Sequence, residues 1–318
     1  MKTKYKVLIY YHNPEYVERY ERLLEEARKD LQLIVCKDKN QIEDLIGDAD
    51  ILFSGHTFPV ELISKARNLK WIQSMSGGVE NYARSNVIPP GVLLTKIRGV
   101  FGPIMSEYVV GYILAVTQNM KKIFTDKEKK HWEPFVVDSI RRKIVGVMGL
   151  GSIGAYIAYQ VHLMGAVVIA LEEQEKRLPY VSQEYSITEM GEFLPRPDFV
   201  VMALPLTDAT EGILGEREFA MMKETAYLIN VSRGPLVQED ALLRALRQGS
   251  IAGAVLDVFH EEPLPRDHPL WELDNVIITP HISGPSIPED IVEVFLENLK
   301  RFEEGKKLEG LVDLEKEY

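Results

Sequence analysis

The sequence predicts an α/β protein of two domains, each a parallel sheet covered by helices. Three observations carry this. Short apolar runs of strand length alternate with segments of helical periodicity, the pattern left by parallel strands joined through crossover helices. The alternation occurs in two series, separated by the polar segment Lys121 to Arg142. The 318 residues are enough for two buried cores, and 46% hydrophobic with 27% charged residues is the balance of a globular chain rather than a disordered one.

In the first series, Val7 to Tyr10, Leu31 to Val35, Ile51 to Phe53, Trp71 to Gln73 and Val92 to Thr95 read as strands. After the first of them, Tyr16, Tyr20, Leu23, Leu24 and Ala27 recur at helical spacing. Gln41 to Ile46 fits a short helix, and Pro59 suits the first turn of another. In the second series the strands are Ile144 to Met148, Val167 to Leu171, Phe199 to Ala203, Tyr227 to Val231, Ala252 to Leu256 and Val276 to Thr279. Helices run from the glycine loop through Met164 and from Glu239 to Gln248. Pro288 to Glu304 closes the pattern as an amphipathic helix with Ile291, Val294, Phe295, Leu299 and Phe302 as its stripe.

The net charge of −11 excludes a global positive field for nucleic acid or an anionic membrane surface. Cys36 is the single cysteine, so no intramolecular disulfide forms and no multi-cysteine metal site exists; its apolar run makes it a buried thiol. Met1 to Lys6 is charged and enters an apolar run too short for a signal peptide, and no apolar stretch approaches a membrane span. A cytoplasmic protein is expected. The polar segment Lys121 to Arg142 holds Trp132 and Phe135 among charges. It reads either as a solvated connection or as a subunit-contact arm anchored by its aromatics.

Gly149, Gly151 and Gly154 form G-L-G-S-I-G between a strand and a helix. The spacing alone is weak; its position makes it a dinucleotide-binding turn. Gly149 permits the tight turn, Gly151 lets a pyrophosphate approach the backbone, and Gly154 lets helix and strand pack closely. Ser152 and Ile153 open the helix whose N–H groups face the phosphates. Glu172 ends the next strand, where a carboxylate holds the ribose hydroxyls of NAD and repels the 2′-phosphate of NADP; a solvated strand end is its plainer reading.

Hydride transfer to a keto acid needs a cation for the carboxylate and carbonyl, a proton donor, and a partner that tunes the donor. Arg233 in V-S-R-G, Glu262 in D-V-F-H-E-E-P and His281 in T-P-H-I-S-G follow successive strands and supply these three. Glu261 is the rival of Glu262. His12, His131, His162, His260 and His268 read as structural or exposed, whereas His56, just past a strand of the first series, reads as a possible substrate contact.

In this order, G-L-G-S-I-G, L-I-N-V-S-R-G, D-V-F-H-E-E-P and T-P-H-I-S-G resemble the D-isomer-specific 2-hydroxyacid dehydrogenase family over nearly the whole chain. R-G-V-F-G-P-I-M-S-E-Y and L-V-D-L-E-K-E-Y are similar to its glyoxylate/hydroxypyruvate reductase-like members. The resemblance implies that Arg233 binds the substrate carboxylate and carbonyl, that His281 is the acid/base, and that Glu262 orients His281 and favours the imidazolium. It places Asp257 at the nicotinamide end of the cofactor. Val231, Ser232, Leu204, Pro205 and Leu206 would line the cofactor cleft. S-M-S-G-G-V-E matches the loop whose N–H groups hold the substrate carboxylate, a role carried to Gly77 and Gly78. Glu172 and Glu80 stand where the family more often has Asp.

The resemblance thus implies a Rossmann cofactor domain, residues 100–285, inserted in a flavodoxin-like substrate domain, residues 1–99 plus 286–318, with the active site between them and hinges near residues 99 and 285. It implies a small 2-keto/D-2-hydroxy acid such as glyoxylate or hydroxypyruvate; NAD rather than NADP is expected from Glu172, and a homodimer, no metal, and neither nucleic acid nor membrane as partner are expected as well. A 3-phosphoglycerate-type dehydrogenase and a non-catalytic, dinucleotide-sensing corepressor-like protein are the alternatives.

Overall fold

Residues 5–315 are described by a computed structural model. The ends of the expected substrate domain, residues 1–4 and 316–318, lie outside the described residues. The chain forms two compact units: one runs up to Val100 and resumes at Ser286, the other is Phe101–Pro285.

In the first unit, β1 (Tyr5–Tyr10), β2 (Leu31–Cys36), β3 (Ile51–Ser54), β4 (Trp71–Ser74) and β5 (Leu93–Thr95) pair in the order β2-β1-β3-β4-β5. Every pair is parallel. This is the flavodoxin-like order, whose direction reverses between β1 and β3. β3 and β4 are buried at every residue, because helices cover both faces of such a sheet. The helix Pro14–Ala27 starts at Asn13, whose side chain accepts the Glu15 N–H (2.9 Å), with Pro14 in its first turn. After Pro59 the structure departs from the expected helix: Val60–Lys65 is a 3₁₀ helix. Ile63 is its buried residue, and Val60 and Leu62 pack against the same core.

The C-terminal helix Pro288–Glu303 completes this unit. Phe295 stacks on Trp71 (5.2 Å) and Phe53 (4.5 Å), while Arg28, which caps the first helix, reaches Glu303 at 2.6 Å. Asn298 is fully buried and satisfied by Gln73 and by both backbone groups of Glu309, so the helix is fixed in register as well as by apolar packing.

The second unit contains β6 (Ile144–Met148), β7 (Val167–Leu171), β8 (Gln183–Tyr185), β9 (Phe199–Met202), β10 (Tyr227–Asn230), β11 (Gly253–Leu256) and β12 (Val276–Ile278). Their order is β12-β11-β10-β9-β6-β7-β8, all parallel. That is the Rossmann order extended by one strand, with its reversal between β6 and β9. Strand β8 was not expected: three residues, Q-E-Y, at the sheet's edge carry no apolar run. Nor was the long helix Phe101–Thr117. Part of the expected polar connection is also helical, Met120–Glu128. Among the described residues no helix is long and apolar enough to cross a membrane.

Candidate active site

The glycine turn leaves β6 at the point where the strand order reverses, which is where open α/β sheets bind ligands. Gly149 has φ 92°, open to glycine at little cost. A Cβ on Gly154 would lie 1.8 Å from the Gly149 carbonyl oxygen, so no other residue lets the helix start this close to the strand. A Cβ on Gly151 would meet nothing within 4 Å. Gly151 therefore faces open space and caps the helix Ser152–Leu163 with no side chain, leaving the opening N–H groups of Ser152 and Ile153 for an anion. Glu172 follows β7 and accepts from the Leu150 N–H in the turn and from the Glu173 N–H (3.1 Å). Its carboxylate is thus held beside the turn. These features fit a dinucleotide.

Leu204 follows β9 and is buried; its carbonyl accepts the hydroxyl of Ser232. Pro205 is exposed and Val231 is buried. Asn230, a buried amide at the end of β10, shapes the next turn. It accepts from the Ser232 N–H (3.1 Å) and donates to the Arg233 carbonyl (2.9 Å). Arg233 Nη1 donates to the Ser232 carbonyl (2.7 Å).

Beyond β11, Glu262 accepts from the Phe259 N–H at 2.9 Å and lies 2.7 Å from Nδ1 of His281, which follows β12. Glu262 rather than Glu261 makes this contact. Burial pushes the Glu262 carboxyl up, but the hydrogen bonds from His281 and Phe259 and the charges of His281 and Arg233 outweigh it, and the net shift is downward. An ionised Glu262 accepting from Nδ1–H sets the tautomer and orientation of the His281 ring. Arg233, Glu262 and His281 therefore come together at the ends of three adjacent strands.

Asp257, expected at the nicotinamide end of the cofactor, follows β11. It is fully buried, and its carboxylate accepts from Thr279, Ile282 and Ser283. Sequence reasoning also missed Asn230 and Thr279; a polar residue closing an apolar strand run was the available signal.

In the first unit, Gly77 and Gly78 follow β4, partly exposed. His56 follows β3 and its ring lies 6.1 Å from that of His12, after β1; Asn81 donates to the His56 carbonyl (2.7 Å). His260 contacts the Val237 carbonyl (2.8 Å) and His268 lies 3.2 Å from Glu239. Cys36 is buried and free, its thiol on the Asp38 carbonyl. Among the described residues no group of three or more His, Cys, Asp or Glu is placed to hold a metal ion.

A glycine turn at the reversal of a Rossmann sheet, with an acid at the next strand end, defines a dinucleotide-binding α/β domain, and the Arg–Glu–His cluster beside it marks an oxidoreductase. Residues 110–283 match the family model described as D-isomer specific 2-hydroxyacid dehydrogenase, NAD binding domain. The chain belongs to the D-isomer specific 2-hydroxyacid dehydrogenase family. It is 34% identical over 264 residues to a glyoxylate reductase of Thermofilum pendens, covering 80% of this chain and 78% of the relative. A family protein from Aeromonas salmonicida superposes with TM-score 0.90 at 33% identity, over 98% of this chain and 99% of the other. An NADPH-dependent glyoxylate/hydroxypyruvate reductase from Sinorhizobium meliloti, solved with NADP and sulfate, gives TM-score 0.90 at 28% identity over 99% and 100%.

Proposed function

We propose that the chain reduces small 2-keto acids, glyoxylate or hydroxypyruvate among them, to D-2-hydroxy acids with NADH. The observation that carries the proposal is the 2.7 Å contact between Glu262 and Nδ1 of His281, with Arg233 close enough to act on the same carboxylate. In this reading the bound dinucleotide supplies the hydride. Gly149, Gly151, Ser152, Ile153 and Gly154 hold its pyrophosphate, and Leu204, Pro205, Val231 and Ser232 line its cleft. Arg233 and the N–H groups of Gly77 and Gly78 bind the substrate carboxylate, and Arg233 also polarises the carbonyl. His281 gives a proton from Nε2 to the substrate oxygen, while Glu262 keeps the ring oriented and stabilises the imidazolium. D stereochemistry follows from the family.

NAD is proposed over NADP because the Glu172 carboxylate would repel a 2′-phosphate. The Sinorhizobium meliloti relative is NADPH-dependent, so the cofactor belongs in the test. A homodimer is proposed on the exposed apolar side chains of residues 120–137.

The test is oxidation of NADH and NADPH over a panel of keto acids. NADH should turn over with glyoxylate or hydroxypyruvate, and His281→Ala should lower kcat by roughly 10²- to 10⁴-fold, the usual worth of a general acid. NADH binding without turnover on any keto acid, or wild-type kinetics in His281→Ala, would sink the proposal.

A further inference from the structure

We propose that Tyr108, Thr279 and Asp257 form a buried relay that positions His281; the proposal rests on the dehydrogenase reading above.

Asp257 follows β11 and has no exposed surface. Its Oδ1 accepts from the Thr279 hydroxyl (2.6 Å) and the Ile282 N–H (2.9 Å), and its Oδ2 from the Ser283 N–H (2.8 Å). Its backbone carbonyl accepts the His281 N–H (3.0 Å). Four donors of the turn 279–283 thus converge on one residue. Three of them meet its two carboxylate oxygens, so the buried group is hydrogen-bonded on both. A buried carboxylate stripped of donors is strongly destabilising, so the turn is bound to the position of Asp257.

The turn needs that hold. His281 has φ 53°, in the left-handed region, which costs an L-residue roughly 1–2 kcal/mol. In this conformation its ring meets Glu262. A looser turn would relax the backbone and weaken that contact.

The relay continues one residue further. Thr279 has a single hydroxyl proton and donates it to Asp257, so the Tyr108 hydroxyl, 2.6 Å from Thr279 Oγ1, is the donor there. Burial pushes the Tyr108 hydroxyl up, with the nearby Asp257 and Tyr112 adding to the shift, so the donor keeps its proton. Tyr108 lies on the helix Phe101–Thr117. The far end of the turn packs on the same helix: a Cβ on Gly284 would lie 3.2 Å from Met105 Sδ and 3.5 Å from Phe101. The helix that opens this unit therefore anchors both ends of the segment carrying His281.

Tyr108→Phe and Thr279→Val each remove one hydroxyl at nearly constant volume; Thr279→Ser keeps it. The two deletions should lower kcat about tenfold, with the keto-acid KM and the NADH Kd within about twofold of wild type. The alkaline limb of the kcat profile should move to lower pH, since a weakened Glu262 contact holds the donor's proton less well. Thr279→Ser should stay near wild type. Unchanged kcat and profile with only a lower Tm would reduce the relay to structural support and overturn the proposal. So would a raised NADH Kd with kcat unchanged at saturation, which is the mark of a cofactor contact. If the wild-type protein turned over no keto acid, the dehydrogenase reading alone would fall. The relay is then decided by the His281 ring signals in NMR: Thr279→Val must move them, and unmoved signals overturn it.

Discussion

Glu262 is held ionised by its neighbours against its surroundings. Burial alone would push its carboxyl up; the bonds from His281 and the Phe259 N–H, with the charge of Arg233, carry it below the usual carboxylate range. The sign of the linkage follows. A carboxyl depressed in the folded state contributes stability above its unfolded pKa, near 4.3, and loses it as pH falls through the folded value. Its side chain is 35% exposed, so solvent screens the pair and the contribution is modest. Glu262→Gln keeps the shape and removes the charge. It should therefore melt slightly below wild type at pH 6, with the gap closing below about pH 4, and it should lower keto-acid reduction about tenfold or more. Melting curves from pH 3 to 7 with parallel kinetics check both; a gap that widens on acidification contradicts the assignment. Arg233, Glu262 and His281 were legible because each follows an apolar strand run within a motif. Tyr108 was not. Its partner Thr279 is 171 residues away in the chain, and no local pattern reports a contact made only by folding.

The strand ends are set by backbone contacts as much as by side chains. Gly234, directly after Arg233, is wedged against the segment that leads to Glu262: a Cβ there would lie 2.1 Å from the Phe259 carbonyl carbon and 2.6 Å from the His260 nitrogen. Both neighbours are main chain and cannot swing aside. Gly234→Ala must separate the β10 and β11 loops, at an overpacking cost of about 1–3 kcal/mol. Because a shift of about 1 Å in a catalytic group can cost 10²-fold, kcat/KM should fall by roughly 100-fold while NADH still binds. Wild-type kcat/KM would show that the two loops have slack. At this level most of the sheet was readable, since strands buried on both faces leave continuous apolar runs. What escaped reading has physical causes. Strand β8 is a short polar edge strand. The helix Phe101–Thr117 is apolar nearly all round, and Gly102, Pro103 and Gly111 read as breakers, so its buried residues Phe101, Met105, Val109, Ile113 and Thr117 give no clean contrast with an exposed face.

Each unit closes its own core, yet the second leaves large apolar side chains in water. Trp132 is 94% exposed, Val136 97% and Phe124 62%, all within residues 120–137. Tyr159 and Leu163 are exposed on the helix Ser152–Leu163. Single exposed hydrophobics are ordinary, but Trp132 and Phe124, both exposed within one charge-rich segment, match the composition of interface anchors. The partner proposed is a second copy of this chain, because an isologous contact needs only one self-complementary patch. The sequence left this segment divided between a solvated connection and a contact arm, since both readings predict charges around isolated aromatics; exposure is what favours the arm. Wild-type protein at micromolar concentration should sediment at twice the chain mass. Trp132→Ala should weaken the dimer by about 2–4 kcal/mol, or roughly 30- to 1,000-fold in Kd, if the indole is an anchor. Adding Phe124→Asp, which buries a charge in the contact, should leave monomers with an unchanged far-ultraviolet circular dichroism spectrum. A wild-type monomer at 10 µM (about the working range of such measurements), or a double variant still dimeric there, would return the segment to a solvated connection.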